Sequence, residues 1–417
     1  MEDKPASHIP FATEKTSRTR AGGLAAARDA MLLRAGQSAL KSVSGASLRV
    51  TGPTGQSALL GRGPEAADMT LKSLRPLWQA ARRGGIGFAE SYIDGDIETG
   101  DLGRMMRFFA DNYDHLTASG RGVFQVRSAD KSWHRKRANT REGSKANISA
   151  HYDLGNAFYK QWLDPGMTYS SALYTRDAST LDEAQDAKYA RIIEALQLGA
   201  GTSLLEIGCG WGGMAERGAR AGADVSAVTV SSEQLAYARD RIGKAGLASR
   251  AELSFTDYRD VTGQYDRIVS IEMIEAVGEE HWPGYFATLN QRLKPGGCAV
   301  VQAITIREED FPLYRARPDF IQRYIFPGGM LPTVSIMKEM SEKAGLSFEI
   351  IERFGPSYAQ TLRDWRDRFH RAWPEISALG FDARFRRMWD YYLTYCEVGF
   401  ERGYTDVGIY RMSKAPG

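Results

Sequence analysis

The sequence predicts an α/β protein: a doubly wound, mostly parallel sheet preceded by a smaller, mainly helical N-terminal domain. Three observations predict it. From residue 203 onward, short apolar runs alternate with helix-spaced apolar stripes, the pattern of strands crossed over by helices. A glycine-rich turn, Gly208-Cys209-Gly210-Trp211-Gly212-Gly213, sits where the first run gives way to the first stripe. At 417 residues the chain exceeds one ordinary domain, and its first part reads as a separate, partly helical unit.

The elements follow in order. Residues 1–20 are polar and expected to be disordered, and 21–125 form the N-terminal domain. There Leu71, Leu74, Leu77, Trp78 and Ala81 recur at helical spacing among basic residues, the stripe of a buried helix face. Ile93-Asp94-Gly95-Asp96 reads as a turn, and Met105, Met106, Phe108 and Phe109 lie on the next helix as core. Residues 126–147 are a basic linker, and 148–417 the α/β domain. Its expected strands are Ser203–Ile207, Asp224–Val230, Ala251–Phe255, Asp266–Ile271 and Cys298–Ile304. Helices are expected around Met214–Ala221 and over the stripe Leu235, Ala238 and Ile242. The last strand follows Leu293-Lys294-Pro295-Gly296-Gly297, a helix stop and tight turn.

Composition narrows the class. With 43% hydrophobic and 25% charged residues the chain is that of a globular protein with ample core. No apolar run of about 18 residues suggests a transmembrane helix, and the polar start is not a secretory signal. Cys209, Cys298 and Cys396 are too scattered for a metal set or a disulfide framework, which fits a reducing cytoplasm. Charge is uneven: residues 1–150 hold 23 Lys+Arg against 15 Asp+Glu, the remainder 31 against 36. The excess peaks at Lys131-Ser132-Trp133-His134-Arg135-Lys136-Arg137, extended by Arg141 and Lys145. Such a stretch is a solvated linker that also attracts anionic lipid headgroups, at about 1 kcal/mol per basic residue. No motif that reads nucleic acid accompanies it.

The glycine turn is the strongest single element. Glycines at a strand-to-helix junction let the backbone approach a ligand and adopt positive φ. A dinucleotide reader would carry an acidic residue at the end of the second strand, where this chain has Val228-Thr229-Val230-Ser231-Ser232. Instead Glu206 precedes the glycines, giving the acidic-Gly-x-Gly-x-Gly form found in methyltransferases. Asp257 follows the third strand, where a carboxylate can bond an adenine amino group.

Several further motifs carry a resemblance. They are His151-Tyr152-Asp153-Leu154-Gly155-Asn156, Leu163-Asp164-Pro165, Met167-Thr168-Tyr169-Ser170-Ser171-Ala172, Thr229-Val230-Ser231-Ser232-Glu233-Gln234, Glu275-Ala276-Val277-Gly278 and Gly355-Pro356-Ser357-Tyr358. Together they resemble the cyclopropane fatty acid synthases, relatives of the mycolic acid cyclopropane synthases, densely over 151–417 and more loosely before. The resemblance implies a Rossmann-like class I methyltransferase domain, a lipid-binding N-terminal domain, S-adenosylmethionine as methyl donor, and a homodimer on the inner face of the membrane. It implies that Gly208, Gly210 and Gly212 lie beside the methionine and ribose, with Glu206 ahead of them. Tyr169 and Ser170 would contact the methionyl part, Thr229 and Gln234 the ribose, and Asp257 with Tyr258 the adenine. Five positions match a bicarbonate pocket: Ser171, Glu275, Gln302, Ile304 and Tyr358. Two of them depart from the common bacterial pattern, Ser171 standing for Cys and Gln302 for His. These departures, with Tyr324-Ile325-Phe326-Pro327-Gly328-Gly329, look more like the plant and alphaproteobacterial branch. His151 is assigned to the loop over the cofactor, not to catalysis.

The implied reaction is transfer of a one-carbon unit to the cis double bond of an unsaturated acyl chain in phospholipid. Methyl transfer to one alkene carbon leaves a cation on its neighbour. Losing a proton from the new methyl closes a cyclopropane ring; losing one without ring closure gives a methylene-branched or shifted alkene. The protein must supply alignment, a dry pocket and a placed base, and bicarbonate oriented by Glu275 is the expected base. Aromatic faces stabilise cations, and Tyr169, Tyr358 and Phe326 are candidates. Alternatives are a methyl- or methylene-branching enzyme, a small-molecule methyltransferase and a non-catalytic lipid-binding relative.

Overall fold

The computed structural model describes residues 15–39, 41, 43, 45–113 and 154–417. The expected basic linker, with Arg135, Lys136 and Arg137, and the motif start at His151 lie outside the described residues. Helix α1 (Lys15–Ala39) begins inside the segment expected to be disordered. Strands β1 (Ser47–Thr51), β2 (Ser57–Gly61) and β3 (Glu65–Leu71) follow, then α2 (Arg75–Ile93), β4 (Ile97–Glu98) and α3 (Leu102–Asp111).

Helices thus dominate this unit, as expected, but they pack with a four-stranded sheet of order β2-β1-β3-β4. Its short strands are closed by Gly-rich turns and were not legible as a sheet. Leu71, read as part of a helical stripe, ends β3 opposite Ile97, and Leu74 is the residue before α2. Pro76 fits the first turn of α2, where no amide partner is lost. Gly84 interrupts α2 with φ 58°, ψ −136°, a conformation that glycine tolerates and other residues resist. Asp101 caps α3 by accepting from the Arg104 amide at 2.9 Å.

The larger unit contains α4 (Asn156–Tyr159), α5 (Leu181–Leu196), β5 (Ser203–Ile207), α6 (Gly213–Arg220), β6 (Asp224–Thr229), α7 (Ser232–Lys244), β7 (Ala251–Phe255) and β8 (Tyr265–Ile271). Then come α8 (Trp282–Arg292), β9 (Leu293–Ile306), α9 (Phe311–Ala316), α10 (Phe320–Tyr324), α11 (Val334–Lys343), β10 (Glu349–Arg353), α12 (Gly355–Arg371), α13 (Trp373–Ala378), α14 (Ala383–Glu401) and β11 (Thr405–Ser413). The seven strands lie in the order β10-β11-β9-β8-β5-β6-β7. Strands β9, β8, β5, β6 and β7 run parallel, and β11 is antiparallel between β9 and β10. The expected strands are present, and β9 starts earlier than foreseen because Leu293 already pairs with Tyr265 before a register shift.

The strand order reverses beside β5, with β6 on one side and β8 on the other, which opens a crevice at their carboxyl ends. The two units share one hydrophobic core: Ile93, Met105 and Phe108 belong to the same cluster as Trp365, Phe369 and Trp389. Helix α14 joins them, its Arg387 donating to the carbonyls of Tyr92 and Ile97 at 2.6 Å each. Among the described residues no helix is long and apolar enough to cross a membrane.

Candidate active site

A cavity of about 890 Å³ lies at the carboxyl ends of β5, β6 and β8 and extends to α2 and α3. That is at the upper end of the range for small-molecule sites. One end is formed by the glycine turn; the other is lined by Met69, Leu77, Ile86, Phe88, Met106 and Phe109 of the N-terminal unit. Met106 and Phe109, expected as core alone, therefore also wall the cavity.

At the glycine turn the backbone is left-handed at Gly208 (φ 84°), Gly210 (φ 50°) and Gly212 (φ 80°). The amides of Gly208 and Cys209 both donate to the Val228 carbonyl at 3.0 Å, which ties the turn to β6. Gly208 and Gly210 line the cavity. A Cβ added at Gly210 would meet nothing within 4 Å, so that position borders open space. Gly212 differs from expectation. A Cβ there would lie 2.9 Å from the Ala238 side chain, so this glycine serves packing against α7 and does not border the cavity.

The polar groups around this end suit a cationic adenosyl ligand. Glu206 is buried, and burial pushes its carboxyl up to about 8. Its Oε2 has no hydrogen-bond partner among the described residues, an unmet acceptor that a ligand ammonium or hydroxyl would satisfy. Thr229 and Gln234 are buried together, the threonine hydroxyl 3.4 Å from Gln234 Oε1. Tyr169, Ser170 and Tyr258 line the cavity as well. Burial pulls Lys188 down to about 7, and its Nζ donates to Ser170 Oγ at 2.8 Å. Asp257 lines the cavity, yet its two oxygens accept from Arg259 at 2.8 and 2.7 Å. The carboxylate expected at the adenine is thus shared with a neighbouring guanidinium. Gly210→Val is expected to weaken S-adenosylmethionine binding more than about tenfold, since a branched side chain would be strained at positive φ and would fill ligand space. Calorimetry on a folded variant with unchanged affinity would remove the assignment.

The second cluster lies beyond β8. Glu272 directly follows that strand, and its backbone sits at φ 47°, a left-handed conformation unusual for glutamate and often kept where function needs it. Its carboxylate accepts from three groups. The Ser171 amide and the Gln302 side-chain amide donate to Oε1, each at 2.8 Å, and the Tyr358 hydroxyl donates to Oε2 at 2.7 Å. Three of the five groups expected to hold bicarbonate are therefore engaged by a protein carboxylate. Ser171 contributes its backbone amide, while its hydroxyl turns to the Ala172 carbonyl at 3.0 Å. Ser171 and Gln302 are fully buried behind Glu272, which itself lines the cavity.

Glu275 and Ile304 line the cavity beside it, and the Ile304 amide donates to Glu275 Oε1 at 2.6 Å. Burial, reinforced by the charge of Glu272, pushes the Glu275 carboxyl up to about 8, so it is mainly neutral at pH 7. Burial also raises Glu272, opposed by its three donors. Two carboxyls with unequal environments thus meet at one site, Glu272 better supplied to carry the negative charge. Aromatic rings enclose them. Tyr358 stacks on Phe400 with centroids 4.3 Å apart, and the hydroxyls of Tyr169 and Tyr392 lie 2.8 Å apart. Phe326 lines the cavity too.

Sequence reasoning passed over Glu272. The available signal was a second acidic residue at the end of an expected strand, where α/β sheets place their sites.

The chain is similar to known proteins. Residues 139–409 match the family model of mycolic acid cyclopropane synthetase. The chain is 41% identical over 335 residues to a tuberculostearic acid methyltransferase of Mycobacterium tuberculosis, covering 78% of each. It is 36% identical over 350 residues to the cyclopropane-fatty-acyl-phospholipid synthase of Escherichia coli, covering 81% of this chain and 85% of that one. A solved mycolic acid cyclopropane synthase complexed with SAH and CTAB superposes with a TM-score of 0.60 at 30% identity, over 65% of this chain and 98% of that one.

Proposed function

The chain belongs to the mycolic acid cyclopropane synthetase family, and from that premise we propose that it methylates the cis double bond of an unsaturated fatty acyl chain in phospholipid and closes a cyclopropane ring. It is an S-adenosylmethionine-dependent methyltransferase that modifies lipid acyl chains. The observation that carries the finer reading is one cavity lined by the glycine turn, by apolar and aromatic side chains and by Glu272.

Glu206, Gly208, Gly210, Thr229 and Gln234 would hold S-adenosylmethionine, which would supply an electrophilic methyl group. The apolar walls hold the acyl chain and exclude water, which would otherwise quench a carbocation. As the alkene π pair forms the new carbon–carbon bond, the bond from the methyl carbon to the sulfonium sulfur breaks and its electron pair leaves with sulfur as the neutral thioether; positive charge develops on the neighbouring alkene carbon, and the faces of Tyr169, Tyr358 and Phe326 stabilise it. The Glu272 carboxylate then takes a proton from the new methyl group, and the released C–H pair closes the ring. Ser171, Gln302 and Tyr358 orient that carboxylate, in place of a bicarbonate ion. Glu275, mainly neutral, adds no second negative charge.

A second reading, a methyl- or methylene-branched product, is favoured by the 41% identity to a tuberculostearic acid methyltransferase. A methylene branch or a methyl-branched alkene differs only in which carbon–hydrogen bond is broken last and whether a hydride shifts first; a saturated methyl branch would then need a separate two-electron reductant.

Lipids from cells expressing the protein and supplied with methyl-deuterated methionine test both. A ring or a methylene branch loses one label from the transferred methyl, and proton NMR of the unlabelled lipids separates the shielded ring protons from vinylidene protons. Retention of the intact labelled methyl on a shifted alkene would replace the ring reading. Absence of label from every acyl chain would overturn acyl methylation itself.

A further inference from the structure

The far mouth of the cavity carries an apolar rim in contact with solvent. Leu77 and Tyr113 are each 40% exposed, and Leu313 and Tyr395 each 38%, yet all four line the cavity. Large apolar side chains are usually scattered singly on a surface; a ring of them around one opening marks a face that meets another apolar phase.

Helix α2 forms one lip. Gly84 divides it into a second half that is almost wholly buried and a first half that is largely exposed. Leu77, Trp78, Ala81 and Arg82 fall one and four residues apart, on one exposed helix face. Trp78 is the most exposed, at 57%, and the Arg82 guanidinium lies 5.0 Å from its ring centre. Trp78 does not line the cavity, so packing around the substrate does not account for it. A tryptophan and a leucine beside an arginine are the composition of an interfacial helix, its rings at headgroup depth and its cation at phosphates.

We propose that the first half of α2, residues 75–83, is a membrane-docking lip that seats on an anionic phospholipid bilayer and aligns the cavity mouth with the acyl layer. This rests on the reading of the substrate as a phospholipid acyl chain. The bilayer is the occupant because the lip is continuous with the cavity that takes that chain, and because its exposed cation complements anionic headgroups. Burying Trp78 and Leu77 in the interface removes the cost of an apolar rim in water. An acyl chain then passes from bilayer to cavity without crossing solvent.

The test is cosedimentation of the full chain with unsaturated phosphatidylcholine vesicles, with and without phosphatidylglycerol, beside methyl transfer to detergent-dispersed phosphatidylglycerol. Trp78→Ser is expected to weaken partition to the anionic vesicles about tenfold, with Trp78→Phe retaining most of it. Arg82→Glu is expected to weaken the anionic case and leave the neutral one nearly unchanged. Thermal midpoint and turnover on dispersed lipid are expected to persist in Trp78→Ser. Unchanged partition of both Trp78→Ser and Arg82→Glu would overturn the proposal. So would a change in mass by sedimentation without a change in partition, which would make the face a contact between copies. Failure of the unsubstituted protein to methylate dispersed lipid would instead defeat the acyl reading, whatever the vesicles show.

Discussion

Replacing Glu272 with Gln is expected to cut methyl-transfer turnover by about a hundredfold or more, the ordinary worth of a positioned general base. The amide has nearly the same shape but cannot accept the proton. It also turns one donor toward Ser171, Gln302 and Tyr358, three groups that already donate. Affinity for S-adenosylmethionine is expected to stay within a few-fold, because Glu272 lies outside the glycine turn. That pattern, kcat falling with binding retained, marks an interaction made chiefly in the transition state. Glu275→Gln is expected to do less, since Glu275 is already mainly neutral at pH 7. Native turnover is expected to be indifferent to carbonate, whereas Glu272→Gly leaves space in which added formate or bicarbonate restores part of the rate. Normal turnover of Glu272→Gln, or a native enzyme that stalls in carbonate-free buffer, would return the proton to a bound ion.

Glu397→Ala is expected to destabilise the fold by about 2–3 kcal/mol, less than the full cost of breaking a wholly buried ion pair, because its guanidinium partners are only half-buried. Glu397 is fully buried on α14. Its carboxylate pairs with Arg107 of α3 at 2.9 Å, and with Arg363 and Arg366 of α12 at 3.1 and 2.9 Å. Its removal leaves three guanidinium groups at the junction of the two units with Glu401 as the remaining carboxylate, 2.7 Å from Arg107 and 3.9 Å from Arg363. Two further ties at that junction are surface-accessible and contribute less: the ion pair of Arg402 with Asp111 at 2.6 Å and the Tyr404 hydroxyl donating to the Ala110 carbonyl at 2.9 Å. Chemical denaturation of the variant beside Arg402→Ala reads the difference. A loss below about 1 kcal/mol for Glu397→Ala would mean that the shared apolar core, not the charged cluster, holds the units together.

The larger sheet and the glycine turn were legible because their signals are local. The strands of the larger unit announce themselves as apolar runs bounded by turns, and the glycine turn needs positive φ within five consecutive residues. Motif by motif, the sequence alone identified the family. The small sheet escaped because its strands are short. Gly212 was misassigned because nothing in the chain reports that Ala238 would fill the space beyond it.

What the sequence determined by itself, then, is the α/β fold, the glycine turn behind Glu206 and the methyltransferase class. Each follows from residues close in the chain, where periodicity and backbone preference act. Only the tertiary structure revealed the cluster around Glu272, because its partners come from Ser171, 101 residues away, Gln302, 30 away, and Tyr358, 86 away. It also decided that the N-terminal unit walls the same cavity and leaves Trp78 exposed at its rim. A carboxylate's role depends on which donors surround it and how much water is excluded, and both are set by long-range packing that no local pattern encodes.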